Sequence, residues 1–496
     1  MTYAILDCYT DEPAGLGVPP YLGTYPRYLY GYLKKNFPNE EIYYFTIDDL
    51  RLWKKWGMKD PNINLPKSKT TNITVYNLTK HHQKIAEIIS EAEELIVILG
   101  VHVPGKYLSA MPGTLKEVTA LITDLPCKKI LTGPAIFGTQ LFGGQFTEHI
   151  DKTVFETRAY NFTFAEIATL SLDGANIVEQ IPWIKMLEIE TGKGCNVGKC
   201  SFCTEPLKSK VLYRNNQEII AEVKKLYDLG ERYFRLGKQT CFYSLPDPIN
   251  LLKKIREQCP DIKVLHIDNV NPIFVANPKG EAITKAVVEY CTEGNIAAFG
   301  IESFDPAVTK ANLLNCSAPV AMKAIESINK LGKERGPNGM PRYLPGINII
   351  FGLADESRKT HEINIEHLKK VIENDWWLRR INIRQVALFE GTKLHEEVGD
   401  KFLRKNKKWY WKWRNQIRQE IDFPMLQKVV PAGTIMKDLY AEIYDGNTTF
   451  MRQFGTYPLI VGVKGRYPLK QFYAVKITGH MLRSLTGEVV LEEFGN

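Results

Sequence analysis

The chain has 496 residues, of which 44% are hydrophobic and 24% are charged, and its formal net charge is +8. This composition is typical of a folded globular protein and excludes a mainly disordered or fibrous one. The length exceeds that of one ordinary hydrophobic core, so two or three domains are expected. No apolar run reaches the length of a bilayer span and no signal-peptide pattern is present, so we expect a cytoplasmic protein.

The amino-terminal segment alternates short apolar runs with amphipathic helical stretches. Four runs are predicted as strands: 3–7, 41–47, 95–101 and 128–133. This alternation is typical of α/β proteins and predicts a doubly wound, Rossmann-like domain over 1–160 with an open parallel sheet. Ligands bind such sheets at the carboxyl ends of the strands. The loops expected at that edge are 7–20, 100–114 and 132–144.

A second alternation of strands and helices covers 180–395. Six runs are predicted as strands: 185–192, 231–238, 263–270, 295–303, 344–352 and 380–388. Helical segments separate them, so the pattern predicts a partial (β/α)6 barrel. The active site of such a barrel lies at the carboxyl ends of its strands.

The carboxyl-terminal part changes character twice. An aromatic and basic stretch over 396–445 is predicted as a helical linker, and short β runs separated by Gly and Pro over 446–496 predict a small β-barrel. The basic run at 401–418 is interpreted as a solvated helix face, with an RNA-binding surface as the alternative.

Three of the nine cysteines are close together in a C-x4-C-x2-C loop directly after the first predicted barrel strand: Cys195, Cys200 and Cys203. Three thiolates from one loop can hold three irons of a 4Fe-4S cluster and leave the fourth iron open. The alternative is a zinc site, which normally needs four protein ligands, and no fourth Cys or His lies at a suitable spacing. We therefore favour the 4Fe-4S cluster. The other six cysteines are expected to be buried structural thiols.

The order of strand, cysteine loop and helix, with Phe202 between the last two cysteines, resembles the radical S-adenosylmethionine (SAM) superfamily. The usual superfamily spacing is C-x3-C-x2-C, so this loop has one additional residue. The resemblance implies that the open iron binds SAM and that Phe202 lies near its adenine. It also implies SAM contacts from residues at later strand ends, namely Gly237, Gln239, Glu302 or Ser303, Asn348, Gly352, Arg384 and Val386.

The amino-terminal domain resembles the cobalamin-binding domain that precedes the barrel in cobalamin-dependent radical SAM enzymes. The resemblance implies a slot for cobalamin lined by Gly100, Pro104, Gly105, Gly133, Pro134 and Ala135. The D-x-H-x-x-G motif that supplies the cobalt ligand is missing after Asp7, so cobalt would be bound without a histidine from that loop. His102 is a candidate to approach the ring, with a purely structural role as the alternative. A plain dinucleotide site is disfavoured because no G-x-G-x-x-G follows the first strand.

The segments DCYTDEPAGLGVPPY, CSFCTEP, YFRLGKQ and RQFGTYPLIVGV together resemble an archaeal group of these enzymes. The resemblance implies a methyltransferase that modifies an unactivated carbon of a protein side chain after translation. A glutamine of methyl-coenzyme M reductase in methanogens is the candidate substrate. A ferredoxin or flavodoxin is the electron donor that such chemistry implies.

A tRNA-modifying radical SAM enzyme is the rival interpretation. The segment GHMLRSLTGEVV is similar to the small RNA-binding module of methylthiotransferases. A second form of this alternative is an enzyme that methylates RNA by means of cobalamin. Methylthiotransferases carry a second cluster on three amino-terminal cysteines, whereas only Cys8 and Cys127 precede the barrel here. A non-enzymatic cobalamin or cluster carrier is disfavoured because a carrier has no use for a complete barrel.

Overall fold

The computed structural model describes residues 2–9, 20–58, 77–100, 110–137, 139–141 and 146–490. The chain divides into two compact units. The first consists of Met1–Ile189 and Gln217–Tyr233, and the second of Glu190–Asn216 and Phe234–Asn496. The four domain ranges expected from the sequence stay a prediction. Among the helices in the described ranges, none is long and apolar enough to cross a membrane.

The first unit contains most of the elements up to residue 190. Its strands are β1 (Thr2–Asp7), β2 (Tyr21–Leu22), β3 (Glu41–Thr46), β4 (Glu94–Ile98), β5 (Lys128–Thr132), β6 (Thr139–Leu141), β7 (Phe146–Glu148), β8 (Glu156–Thr157) and β9 (Met186–Glu190), the last of which ends at the boundary. Its helices are α1 (Thr24–Asn36), α2 (Ile47–Trp56), α3 (Ile85–Glu91), α4 (Leu115–Ile122), α5 (Phe164–Asp173) and, after the short α6 of the second unit, α7 (Asn216–Asp228).

A five-stranded sheet with the order β3-β1-β4-β5-β8 organises the first unit. All four strand pairs are parallel, which confirms the predicted parallel sheet. Residues 4–6 of the central β1 are fully buried on both faces of the sheet. A continuous apolar run of this kind is what a strand covered on both sides requires.

The second unit holds the cysteine loop and the carboxyl-terminal strands. Its strands are β10 (Gly192–Lys193), β11 (Leu212–Tyr213), β12 (Tyr233–Gly237, which begins at the boundary), β13 (Val264–Ile267), β14 (Asn269–Val270), β15 (Asn295–Glu302), β16 (Tyr343–Phe351), β17 (Arg380–Gln385), β18 (Ile435–Asp445), β19 (Thr448–Gln453), β20 (Ile460–Lys464), β21 (Phe472–His480) and β22 (Leu485–Val489). Its helices are α6 (Glu205–Lys208), α8 (Pro248–Gln258), α9 (Pro272–Val275), α10 (Gly280–Tyr290), α11 (Pro306–Ala311), α12 (Ala318–Gly332), α13 (Arg358–Glu373), α14 (Lys393–Glu397), α15 (Lys401–Ile417) and α16 (Phe423–Val429).

Strands β14 to β17 form a parallel sheet in chain order. Each of the predicted strands from 263 to 388 is present at its expected place, and helices connect them. In the β16–β17 register, Gly346 lies opposite Arg380, Asn348 opposite Asn382 and Ile350 opposite Arg384. Because side chains alternate along a strand, Arg380, Asn382 and Arg384 share one face of β17.

The carboxyl-terminal strands close into a barrel with the order β18-β19-β20-β22-β21, which confirms the predicted β-barrel. The first strand of this barrel is Ile435–Asp445, so the barrel strands begin before residue 446, the start expected from the sequence. The helical segment therefore ends at Val429. Register irregularities between Met436 and Leu439 and between Ala441 and Ile443 interrupt the alternation of β18. Without a regular period of two, the sequence pattern did not indicate a strand.

The loop between β19 and β20 packs on β13 through a buried histidine. Thr456 donates its backbone N–H to His266 Nδ1 at 3.0 Å, and His266 Nε2 lies 3.2 Å from the Glu293 carbonyl oxygen. The loop approaches so closely that a Cβ on Gly455 would lie 2.8 Å from the His266 ring. Burial lowers the pKa of His266 to about 4, so the ring is neutral and accepts at Nδ1.

We expect His266 to make the stability of the second unit depend on pH. An unfolded histidine binds a proton below about 6.5, whereas the buried ring resists protonation until about pH 4. The unfolded state thus binds more protons in this window, and the contribution, about 3 kcal/mol, is present above pH 6.5 and lost as the pH falls to 4. The His266→Asn variant keeps an acceptor near Nδ1 and should lack this dependence. Denaturant unfolding of both proteins from pH 4 to 8 measures the difference, and parallel curves would contradict the assignment.

Candidate functional site

The cysteine loop is closed at its base by a short antiparallel ladder. Gly192 pairs with Tyr213 and Lys193 with Leu212, which brings the two ends of the loop together. Gly194 has φ +82°, and a Cβ there would collide with the Lys210 carbonyl. Only glycine satisfies both the conformation and the close approach.

The three thiols of this loop lie in a polar backbone environment. Gly198 donates its N–H to Cys195 Sγ, and Glu205 donates its N–H to Cys203 Sγ, each at 3.4 Å. Burial, with the neighbouring Cys203 and Glu302 charges, raises the pKa of Cys200 to about 12. A metal that binds the Cys200 sulfur therefore has to displace its proton. Backbone hydrogen bonds to sulfur stabilise the thiolate and tune the potential of an iron–sulfur cluster.

In the ranges that the structure describes, no group of three or more His, Cys, Asp or Glu side chains is spaced to hold a single metal ion. A four-iron cluster differs from a single ion because each thiolate binds a different iron. The six cysteines outside the loop are buried, as expected for structural thiols: Cys8, Cys127, Cys241, Cys259, Cys291 and Cys316.

The cysteine loop is anchored by Asn312, a fully buried residue that the sequence analysis missed. Its Oδ1 accepts from the Ser201 hydroxyl at 2.9 Å and from the Ala354 N–H at 3.1 Å. Its Nδ2 donates to the carbonyl groups of Val308 and Ala354 at 2.8 and 2.9 Å. The Ser201 N–H also donates to the Asn312 carbonyl at 2.9 Å. One amide therefore joins the loop to α11 and to the segment that follows β16.

Two side chains at the ends of β12 and β15 have buried polar atoms without partners among the described residues. Gln239 is 2% exposed, yet neither its Oε1 nor its Nε2 has a hydrogen-bond partner in the described part of the chain. Glu302 Oε2 is in the same condition, and burial raises the pKa of Glu302 to about 8 while the Arg384 charge lowers it. Buried polar atoms are rarely left unpaired, so these atoms indicate a polar ligand. They fit the polar groups of SAM.

The other residues expected to contact SAM fall into two groups. Phe202 and Val386 belong to the same apolar cluster, so the structure brings together the two side chains expected near adenine. Asn348 accepts from Asn382 at 3.1 Å, and Arg384 is exposed on the same face of the sheet. Ser303, by contrast, is buried and accepts from the Asp305 N–H at 3.2 Å, so Glu302 is the more available of that pair.

The backbone around these residues is strained at two strand ends. Lys238, between Gly237 and Gln239, has φ +68°, and Glu302 has φ +64°. Such conformations are uncommon for residues with a Cβ and are concentrated at functional sites. Gly352 also has a positive φ, +96°, and donates its N–H to Glu356 at 2.7 Å.

Comparisons with known proteins place this geometry in context. No protein-family model matches the chain. The uncharacterized protein MJ0274 of Methanocaldococcus jannaschii is 37% identical over 98% of this chain and 93% of its own length. An uncharacterized protein of Archaeoglobus fulgidus is 38% identical over 98% of this chain and 89% of its own length. The chain belongs to the family of these archaeal proteins.

Solved structures also resemble the chain at low sequence identity. The radical SAM methyltransferase TsrM from Kitasatospora setae, with cobalamin and a [4Fe-4S] cluster bound, is 12% identical with a TM-score of 0.49 over 80% of this chain and 77% of that chain. The cobalamin-dependent SAM radical enzyme OxsB, in an apo form, is 12% identical with a TM-score of 0.48 over 82% of this chain and 55% of that chain.

The residues expected from the sequence to line a cobalamin slot are described only in part. His102, Pro104 and Gly105 lie outside the described residues. Gly100 is buried, and Pro134 is half-buried. Gly133 has φ +86°, and a Cβ there would lie 2.8 Å from the Leu99 carbonyl oxygen. Ala135 is fully buried and donates its N–H to the same carbonyl at 3.0 Å. The small size of residues 133 and 135 is therefore explained by packing against β4.

A buried polar network at the end of β1 was not anticipated from the sequence. Asp7 accepts from the Tyr9 N–H and the Tyr44 hydroxyl, both at 2.9 Å, and burial raises its pKa to about 6. The Tyr9 hydroxyl donates to Asp48 at 2.8 Å, and Asp48 pairs with Arg51 at 3.0 Å. These groups lie at the edge of the parallel sheet where ligands bind.

Proposed function

We propose that the protein is a cobalamin-dependent radical SAM C-methyltransferase. The observation that carries the proposal is the cysteine loop, in which three half-buried thiols lie together and two of them accept backbone N–H groups. The loop is joined to the end of β12 because the Thr240 hydroxyl donates to the Gly194 carbonyl at 2.9 Å. Gln239 therefore comes next to the loop with its amide unpartnered.

The roles of the residues follow from this arrangement. When bound, the cluster and SAM supply a 5'-deoxyadenosyl radical, and methylcobalamin supplies the methyl group. Cys195, Cys200 and Cys203 would hold the cluster. Gln239 and Glu302 would bind polar groups of SAM, and Phe202 with Val386 would pack against its adenine.

The support for cobalamin is the parallel sheet of the first unit, in which β1, β4 and β5 end at the edge where ligands bind such sheets. The packing explanation for Gly133 and Ala135 leaves Gly100 and Pro134 as the described candidates for the slot. A larger side chain at position 133 would disturb the segment at the end of β4, so this substitution does not test cobalamin binding.

For the substrate we propose a protein side chain, with a glutamine of methyl-coenzyme M reductase as the candidate, and a ferredoxin or flavodoxin as electron donor. A tRNA substrate is the second candidate because of one surface observation. Trp411 is 67% exposed on α15 and is flanked by Lys407, Lys408 and Lys412, which are also exposed. Exposed aromatic rings among basic side chains are typical of nucleic-acid surfaces.

The proposal is tested by anaerobic reconstitution with iron, sulfide, cobalamin and SAM, followed by mass spectrometry. A peptide containing the candidate glutamine should gain one methyl group, with about two SAM consumed per methyl, one as radical source and one as methyl donor. Bulk tRNA serves as the competing substrate. Methylation of tRNA but not of the peptide, with activity that falls steeply as salt rises, would favour the RNA-modifying alternative.

A further inference from the structure

An arginine cluster surrounds Tyr457, the residue at the tip of the loop between β19 and β20. Arg379 donates to the Tyr457 carbonyl at 2.8 Å, and the Arg380 guanidinium lies 3.9 Å from the centre of the Tyr457 ring. Arg235 lies 5.6 Å from the centre of the same ring and is paired with Asp268. We call Arg379 and Arg380 the Tyr457 arginines.

Arg379 and Arg380 lack compensating carboxylates. In the part of the chain that the structure describes, neither forms an ion pair, and the groups that act electrostatically on Arg380 are Tyr457, Arg483, Arg384 and Arg235. Burial, together with the Arg380 and Arg483 charges, lowers the pKa of Arg379 to about 9. The Nε of Arg379 is buried without a hydrogen-bond partner. Like charges held together in a poorly solvated place repel one another unless an anion joins them.

The backbone leaves room for these side chains. Arg380 and Arg384 lie on the face of β17 that also carries Asn382, and Gly346 stands opposite Arg380 in the register. A Cβ on Gly346 would lie 3.0 Å from Arg380 Cγ, so the glycine gives the arginine its space. Four residues separate Arg380 from Arg384, which places their Cα atoms about 13 Å apart along the strand. Arg384 lies at the carboxyl end with the proposed SAM residues, and Arg380 at the far end.

We infer that the Tyr457 arginines form an anion site that binds a carboxylate or phosphate group of the substrate. This inference rests on the proposed function only for identifying the ligand as the substrate. Guanidinium groups bind planar or tetrahedral oxyanions through paired N–H donors, and they keep their charge at any physiological pH.

Anion binding can be measured apart from radical chemistry. The full-length protein with its reconstituted cluster is titrated with inorganic phosphate and, separately, with succinate, and thermal unfolding is followed without reductant or SAM. Sodium chloride at equal ionic strength is the reference. At least one of the two anions should raise the melting temperature, because a ligand that binds only the folded state stabilises it. The anion with the larger effect identifies the phosphate or the carboxylate as the group recognised.

The Arg380→Gln substitution should lower the affinity for the anion and raise the melting temperature of the anion-free protein. It should weaken anion binding by about tenfold or more, because a charge-assisted contact is lost. The variant should also melt at a higher temperature than the unmodified protein in anion-free buffer, because one repelling charge is gone. A fold defect cannot produce both results. The Arg404→Gln variant, on the exposed face of α15, is the matched control and should keep the full anion response.

A second variant makes the test independent of Arg380. Asn382→Asp places a carboxylate on the same face of β17, between Arg380 and Arg384. This variant should show no rise in melting temperature on addition of either anion, because the new carboxylate neutralises the charge of the neighbouring arginines. An unchanged response to both anions in the Arg380→Gln and Asn382→Asp variants would overturn the anion site. Loss of SAM cleavage with an intact anion response would instead count against the proposed function alone.

Discussion

Replacing Cys195, Cys200 and Cys203 together by alanine abolishes both the visible absorption of the reconstituted protein and its formation of 5'-deoxyadenosine. This is the largest effect we expect, because no activity survives without the proposed cluster. The iron content should fall from about four atoms per chain to nearly none, since the thiolates are the covalent ligands. Iron analysis, absorption spectroscopy and chromatography of the SAM products measure the three quantities on the same sample.

The matched control is Cys259→Ala. Cys259 is fully buried at the end of α8, and the structure gives it no place in the cysteine loop. Its replacement should reduce stability by about 1 kcal/mol, as removal of a small buried group does, and leave the iron content unchanged. An iron–sulfur absorption band that persists in the triple variant would contradict the ligand assignment. It would also restore the methylthiotransferase alternative, which requires a second cluster.

Features formed by residues that are close together in the chain could be predicted from the sequence. Largely apolar runs indicated the longer strands of the two parallel sheets, such as β1, β4, β15 and β16, because burial on both faces leaves little room for polar side chains. The strands of two or three residues, such as β2, β10 and β11, were not predicted. The cysteine loop was recognisable because its ligands are close in sequence. Strand β18 was missed for the converse reason: its irregular register places Lys437 and Asp438 where an alternating pattern would have an apolar residue.

Features built from residues that are far apart in the chain could not be predicted from the sequence. The Tyr457 arginines come from β17 and its preceding turn, and they meet a tyrosine more than 70 residues later in the chain. Arg384 was identified only through the family resemblance, whereas nothing in the sequence distinguished Arg379 and Arg380 from other basic residues. The unpartnered state of Gln239 is likewise a property of its surroundings, which only three-dimensional packing determines.

Asn312→Ala tests whether the cysteine loop depends on its anchor. The substitution removes four side-chain hydrogen bonds and leaves the Ala354 N–H and carbonyl groups buried without partners. Each unsatisfied buried group costs about 1–3 kcal/mol, so we expect the free energy of unfolding to fall by about 3 kcal/mol. Denaturant unfolding measures this loss.

The same variant should also lose iron, because Asn312 contacts Ser201 between two of the proposed ligands. Ser201→Ala removes only one of the four bonds and should cost about 1 kcal/mol, with a smaller loss of iron. Asn415→Ala, an exposed position on α15, is the control and should change neither quantity. If Asn312→Ala were less stable but bound the full amount of iron, the loop would not need this anchor, and the amide would serve only to join α11 to the segment after β16.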